Sequence, residues 1–216
     1  MKFFIDTANL AQIKEANELG ILDGVTTNPS LMAKEGIKGQ EAIFKHYKTI
    51  CEMVNGDISA EVVSTDFNGI VEEGKKLAAI HKNIVVKVPM IKDGVKAIKW
   101  FTDNGISTNC TLVFSAGQAI LCAKAGAKYV SPFIGRIDDS GWDGVLLIEQ
   151  IAKIYAVQGY KTEILAASIR SPNHIIRCAE AGAHVCTSPL ESILGLLKHP
   201  LTDIGLAKFL EDAKKL

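Results

Sequence analysis

No excess of charge marks this chain. Lysine plus arginine and aspartate plus glutamate each number 24 in 216 residues, so no global field draws it to nucleic acid or to an anionic membrane. Aromatic residues are scarce, at 6%, which counts against a protein that stacks bases. No apolar run approaches the roughly 20 residues of a membrane span. The opening MKFFIDTANL is interrupted by Asp6 and does not read as a signal peptide. The five cysteines (Cys51, Cys110, Cys122, Cys178, Cys186) are odd in number and contain no C-x-x-C pair. They read as reduced core thiols of a cytoplasmic enzyme. The five histidines show no H-x-H or H-E-x-x-H spacing, so no metal site is expected. The glycines form neither a P-loop nor a dinucleotide turn, and nothing points to ATP.

Regular alternation is what the chain does have. Short β-branched runs at Phe3–Asp6, Gly24–Asn28, Ser59–Val63, Ile84–Val88, Ser107–Val113, Tyr129–Phe133, Glu163–Ser168 and His184–Ser188 predict eight strands. Between them lie segments with apolar residues three or four apart, such as Ile43, Tyr47, Ile50 and Val54. Eight strands alternating with helices predict a parallel sheet closed into a (β/α)8 barrel; a doubly wound open sheet is the alternative. Glycines between helix and strand (Gly20, Gly105, Gly126, Gly182) suit left-handed helix ends. The near copies AKAGAKYVSP and AEAGAHVCTSP predict a repeated helix–strand unit. With no linker or composition shift, residues 1–216 read as a single barrel domain, and 202–216 as an extra C-terminal amphipathic helix.

One residue breaks the apolar pattern. Lys87 stands in the run Ile84-Val85-Val86-Lys87-Val88-Pro89. Burying an amine disfavours its charged form, and a neutral lysine forms a Schiff base with a carbonyl. Other strands also carry polar residues near their C-terminal ends, where a barrel builds its active site: Asp6, Asn28, Glu61, Asn109 and Thr111, Ser131, and Ser168. Singly, each has an ordinary structural reading. Asp6 suits a turn or cap, Asn28-Pro29 a turn, Thr111 a strand, and a lone strand lysine is as often a snorkelling rim residue. Together, a lysine and two acids on separate strands fit carbonyl chemistry, with a carboxylate taking a hydroxyl proton as a C–C bond breaks. Arg136 and Arg170 follow the sixth and seventh strands. An isolated arginine is usually a surface-pair residue, but beside this set a phosphorylated sugar is the better reading.

FIDTAN (Phe4–Asn9), GVTTNPSL (Gly24–Leu31), VVKVP (Val85–Pro89), YVSPFIGRIDD (Tyr129–Asp139) and LAASIR (Leu165–Arg170) together resemble the transaldolase family over essentially the whole chain. The resemblance is to the short-chain branch, which also contains fructose-6-phosphate aldolases. It implies a (β/α)8 barrel without a cofactor. It also implies transfer of a dihydroxyacetone unit from a ketose phosphate (sedoheptulose 7-phosphate or fructose 6-phosphate) to an aldose phosphate, in the non-oxidative pentose phosphate pathway. By motif position, Lys87 is the Schiff-base lysine and Asp6 the acid/base of C–C cleavage. Glu61 and Thr111 hold a catalytic water. Asn28, Asn109 and Ser131 orient the dihydroxyacetone portion, and Arg136, Ser168 and Arg170 contact phosphate. Aldolases of the branch are expected to carry Gln at position 61 and Tyr at 133, where this chain has Glu61 and Phe133. Phe133 has no proton to give an enamine, which favours transfer over release. The resemblance further implies a homo-oligomer, a pentamer or decamer, with the last helix crossing to a neighbour. A free-dihydroxyacetone aldolase and a catalytically silent sugar-phosphate binder remain the competing expectations.

Overall fold

Eight strands pair side by side, all parallel, and the eighth returns to the first to close a barrel. They are β1 (Lys2–Asp6), β2 (Gly24–Thr26), β3 (Asp57–Glu61), β4 (Ile84–Pro89), β5 (Thr108–Val113), β6 (Tyr129–Pro132), β7 (Glu163–Ala166) and β8 (Val185–Ser188). This computed structural model describes residues 1–216. The first six helices are α1 (Leu10–Glu18), α2 (Pro29–Lys34), α3 (Gln40–Met53), α4 (Phe67–Ala78), α5 (Lys92–Asp103) and α6 (Ala116–Ala125). Five follow: α7 (Ile134–Asp139), α8 (Gly144–Gln158), α9 (Pro172–Glu180), α10 (Leu190–Gly195) and α11 (Pro200–Ala213). None is long and apolar enough to cross a membrane.

The open-sheet alternative is thereby excluded, and the strand positions fall within about two residues of expectation. Three boundaries matter for chemistry. β2 stops at Thr26, so Asn28 is not a strand residue; its side chain accepts the Leu31 N–H at 3.0 Å and caps α2, with Pro29 in the first turn. β3 begins at Asp57, which puts Glu61 at its last position. β7 ends at Ala166, leaving Ser168 in the loop beyond it. Three short helices, α2, α7 and α10, follow β2, β6 and β8 directly, and the periodicity gave no sign of them. The two near-copied phrases do fold alike: each closes its helix with a glycine at φ 90°, Gly126 after α6 and Gly182 after α9. An L side chain rarely adopts that conformation.

Two separate cores hold the barrel. Outward-facing strand residues such as Ile5, Val25, Ile58, Val86, Val88 and Cys110 join the helices in one large apolar layer. Inside, Phe4, Val85, Tyr129, Leu165, Ala167 and Val185 form a small plug. The alternation of side chains along each strand separates the two sets. Gly24 has no side chain because the Phe4 ring occupies its place; a Cβ there would lie 2.6 Å from that ring and 2.5 Å from the Asp57 carbonyl oxygen. Beneath the plug, Tyr129 donates to Asp57 at 2.6 Å, Lys128 pairs with Asp57 at 2.5 Å, and Lys2 pairs with Glu163 at 2.8 Å. Burial pushes the ionisation of Tyr129 well up, so it stays a donor. The N-terminal end of the barrel is closed, and only the C-terminal end is left to receive a ligand.

Gly24→Ala is expected to destabilise by about 1–3 kcal/mol through overpacking. Gly117→Ala, where a new Cβ has only the Ser115 hydroxyl at 3.9 Å, is expected to be neutral or slightly stabilising. Denaturant midpoints of the two variants check the contrast; equal midpoints contradict the packed floor.

Candidate active site

Adjacent strand ends bring the lysine and the acids together. β3 and β4 register Glu61 against Lys87, and β4 and β5 register Lys87 against Asn109. The Lys87 Nζ lies 3.1 Å from Glu61 Oε2, with the side chains 7% and 16% exposed. It also donates to the Thr27 carbonyl at 3.4 Å. The lysine is thus no snorkelling rim residue. Its amine is held inside the barrel, flanked by a carboxylate that is itself largely buried.

Below Lys87, Asn109 uses both ends of its amide. Its Nδ2 donates to Ser59 Oγ at 3.1 Å, and its Oδ1 accepts from Ser131 Oγ at 2.7 Å. All three side chains are buried. Ser131 borders the open cavity, whereas Asn109 lies behind it and fixes the Ser131 hydroxyl in place. Thr111 is fully buried, and its hydroxyl has no protein partner. The next residue, Leu112, takes φ 60° where the β5–β6 register shifts. This bulge turns Leu112 out to the mouth and is the kind of local re-aiming that barrel rims use.

The cavity itself, of about 160 Å³, is lined by Asp6, Asn28, Lys87, Ser131, Phe133, Arg136 and Ser168, with Thr26, Thr187 and Ala167 completing the wall. Seven of the eleven residues expected at the site therefore border one hollow. Glu61 opens onto an outer vestibule of about 380 Å³ that shares Lys87, Asn28, Phe133 and Arg136 with it. A larger hollow, of about 760 Å³, lies between α5 and α6 on the outside of the barrel, away from these groups. Phe133 packs edge-on against Phe114, their ring centroids 5.8 Å apart. No other aromatic lines the inner cavity, and Phe133 offers it a hydrocarbon face with no proton.

The two arginines part company. Arg136 reaches both the cavity and the vestibule. Arg170 does not border the cavity. Its guanidinium instead grips Asp139 through two bonds of 2.5 Å each. That grip holds the Asp139 carboxyl below the usual carboxylate range and pushes Arg170 further up. The same side of the barrel carries two more such pairs, His174 with Asp138 at 3.0 Å and Arg177 with Asp143 at 2.6 Å. They tie α9 to the α7–α8 segment. Gly135 makes the close approach possible, since a Cβ there would sit 2.2 Å from the Ser168 carbonyl oxygen and 2.8 Å from Arg170 Nε. Ser168 is held at φ 59°, a conformation that costs a non-glycine residue energy and persists where surrounding structure enforces it.

Some neighbours gave no signal in the sequence. Thr26 donates to Asp6 Oδ1 at 2.7 Å and lies 2.7 Å from Thr187; threonine in a strand is unremarked anywhere. Tyr47 was legible only as an apolar-face residue of α3, yet its phenol oxygen accepts the Glu61 N–H at 3.3 Å and pins the end of β3. Burial keeps that phenol protonated by pushing its ionisation up. No group of three or more His, Cys, Asp or Glu side chains is placed to hold a metal ion.

Known proteins can now be set beside this geometry. An inosine 5′-monophosphate dehydrogenase of Legionella pneumophila superposes with a TM-score of 0.60 at 12% identity, over 89% of this chain and 58% of that one; the likeness extends to the barrel fold alone. Three bacterial proteins, each named a probable transaldolase, align over all 216 residues. Those of Cytophaga hutchinsonii (68% identical) and Parabacteroides distasonis (67%) are each covered to 99% of their length, and that of Porphyromonas gingivalis (62%) to 98%. The family model for transaldolase/fructose-6-phosphate aldolase matches residues 3–216. With relatives this close over their full length, and a family match spanning nearly every residue, the chain belongs to the transaldolase/fructose-6-phosphate aldolase family.

Proposed function

We propose that this protein is a transaldolase, moving a dihydroxyacetone unit from a ketose phosphate to an aldose phosphate through a Schiff base on Lys87. The observation that carries the reading is the buried Lys87–Glu61 contact at 3.1 Å, open to a cavity that Asp6 also lines. Glu61, 3.1 Å from the amine, would take the proton that the amine must shed. The free amine attacks the ketose carbonyl, and the carbinolamine loses water to an iminium. Asp6 takes the proton of the hydroxyl beyond the scissile bond, that C–C bond breaks into the iminium, and an aldose phosphate leaves. The enamine left on Lys87 attacks the acceptor aldehyde, Asp6 returns its proton, and water releases the new ketose. The unpartnered buried hydroxyl of Thr111 supports its pairing with Glu61 around that water. Arg136 suits the phosphate, because it lines both the cavity and the vestibule.

Release of free dihydroxyacetone, the aldolase reading, needs a donor to protonate the enamine. Phe133 supplies none, which favours the transferase. Sodium borohydride with fructose 6-phosphate is expected to fix an adduct on Lys87, read as a mass increase that Lys87→Met abolishes. Turnover of fructose 6-phosphate is expected to require erythrose 4-phosphate. Binding without an adduct would support a silent binder, and equal turnover without acceptor would support the aldolase. The five buried, unpaired cysteines fit a reducing cytoplasm.

A pentamer or a decamer built from pentamers is the assembly this reading carries with it. α11 buries none of its residues, and Leu201, Ile204, Leu206, Phe209 and Leu210 are each between 56% and 73% exposed. An apolar surface of that kind marks an interface. Phe209→Asp is expected to lower the mass measured by sedimentation velocity. A wild-type protein sedimenting as a monomer at micromolar concentration would refute the assembly.

A further inference from the structure

Asp6 does not stand alone in the cavity wall. β1 and β2 register it against Thr26, and β8 places Thr187 on the other side of β1, against Phe4. Thr26 Oγ1 donates to Asp6 Oδ1 at 2.7 Å, and Thr26 Oγ1 and Thr187 Oγ1 lie 2.7 Å apart. Both threonines are 2% exposed and line the cavity. A hydroxyl has one proton to give, and an ionised carboxylate only accepts. Thr26 spends its proton on Asp6, so the contact between the threonines must run from Thr187 to Thr26. The chain of donors has one direction, Thr187 to Thr26 to Asp6, and it ends on Oδ1. Asp6 Oδ2 makes no hydrogen bond to the protein.

We infer that Thr26 and Thr187 are positioning residues for the acid/base step. They fix the Asp6 carboxylate by one oxygen so that the other, Oδ2, is presented to the substrate hydroxyl whose proton is transferred as the C–C bond breaks. The inference rests on the transaldolase reading above and adds to it the assignment of the reacting oxygen. Thr26 touches neither the amine nor its partner Glu61 in the hydrogen-bond pattern, so it bears on bond cleavage and not on Schiff-base formation. The bond also strengthens as it is polarised by Thr187, since each hydroxyl that accepts a bond donates a better one. Proton transfer by a well-placed group is worth about 10²–10⁴ in rate, and misplacing that group forfeits part of it.

Four variants separate this role from simple filling of the barrel wall: Thr26→Val, Thr26→Ser, Thr187→Val and Thr187→Ser. Each is assayed for kcat and KM with fructose 6-phosphate and erythrose 4-phosphate, and for the borohydride adduct formed with dihydroxyacetone. Thr26→Val is expected to lose about 10- to 100-fold in kcat, with KM and adduct yield within about threefold of wild type. Thr187→Val is expected to show a smaller loss of the same kind. Both serine variants, which keep the hydroxyl, are expected to recover most of the rate. Unchanged kcat in Thr26→Val would overturn the inference. So would serine variants as impaired as valine ones, or a loss that falls on KM and adduct yield instead of kcat. A wild-type protein that traps no adduct overturns the transaldolase reading and this one with it, whereas normal trapping with unaltered Thr26→Val turnover overturns this one alone.

Discussion

A charged amine and a carboxylate 3.1 Å apart, both largely withdrawn from water, set the terms for everything around them. Withdrawing two ions from solvent is costly, and removing one partner of a buried pair leaves the other stranded at about 3–5 kcal/mol. Such a pair survives only in a frame that is stable for other reasons and rigid enough to keep both groups aligned. The closed parallel sheet is that frame. Its strand register puts Glu61 and Lys87 opposite one another, Tyr47 pins the end of β3 through the Glu61 N–H, and Asn109 locks the layer beneath. The outer apolar layer supplies the stability, so the inner wall is free to be polar where chemistry requires it.

The division between outer and inner wall also explains what could be read directly. A lysine in a β-branched run is conspicuous because burial should forbid it, and Asp6 and Glu61 stand out for the same reason. Eight β-branched runs alternating with helices favoured a barrel over an open sheet, and the closed strand order decides between them. The family motifs then gave each of these residues a role, and seven of the eleven expected residues do border one cavity.

What stayed hidden falls into three physical kinds. Thr26 and Thr187 are typical strand residues, and only their 2.7 Å approach from the two strands that flank β1 gives them meaning. Arg170 and Asp139 pair between the β7–α9 loop and α7; no local pattern reveals which acid an arginine will meet. Asn28 carried two readings, turn and site residue; it borders the cavity, and it also caps α2, which no pattern in the sequence announced. Strand ends were the least legible feature, since β3 and β7 stop where short loops take over hydrogen bonds that a sequence pattern does not display.

The plugged floor of the barrel has a kinetic meaning. With Phe4 seated in the place of a Gly24 side chain, and the Asp57–Tyr129–Lys128 network behind it, nothing passes through the far end. Every molecule that enters must leave by the door it came in. In the transfer proposed above, the aldose phosphate released first would have to clear that single door before the acceptor could enter. The order of exchange would come from the covalent adduct; what the closed end adds is that donor, acceptor and both products share one mouth.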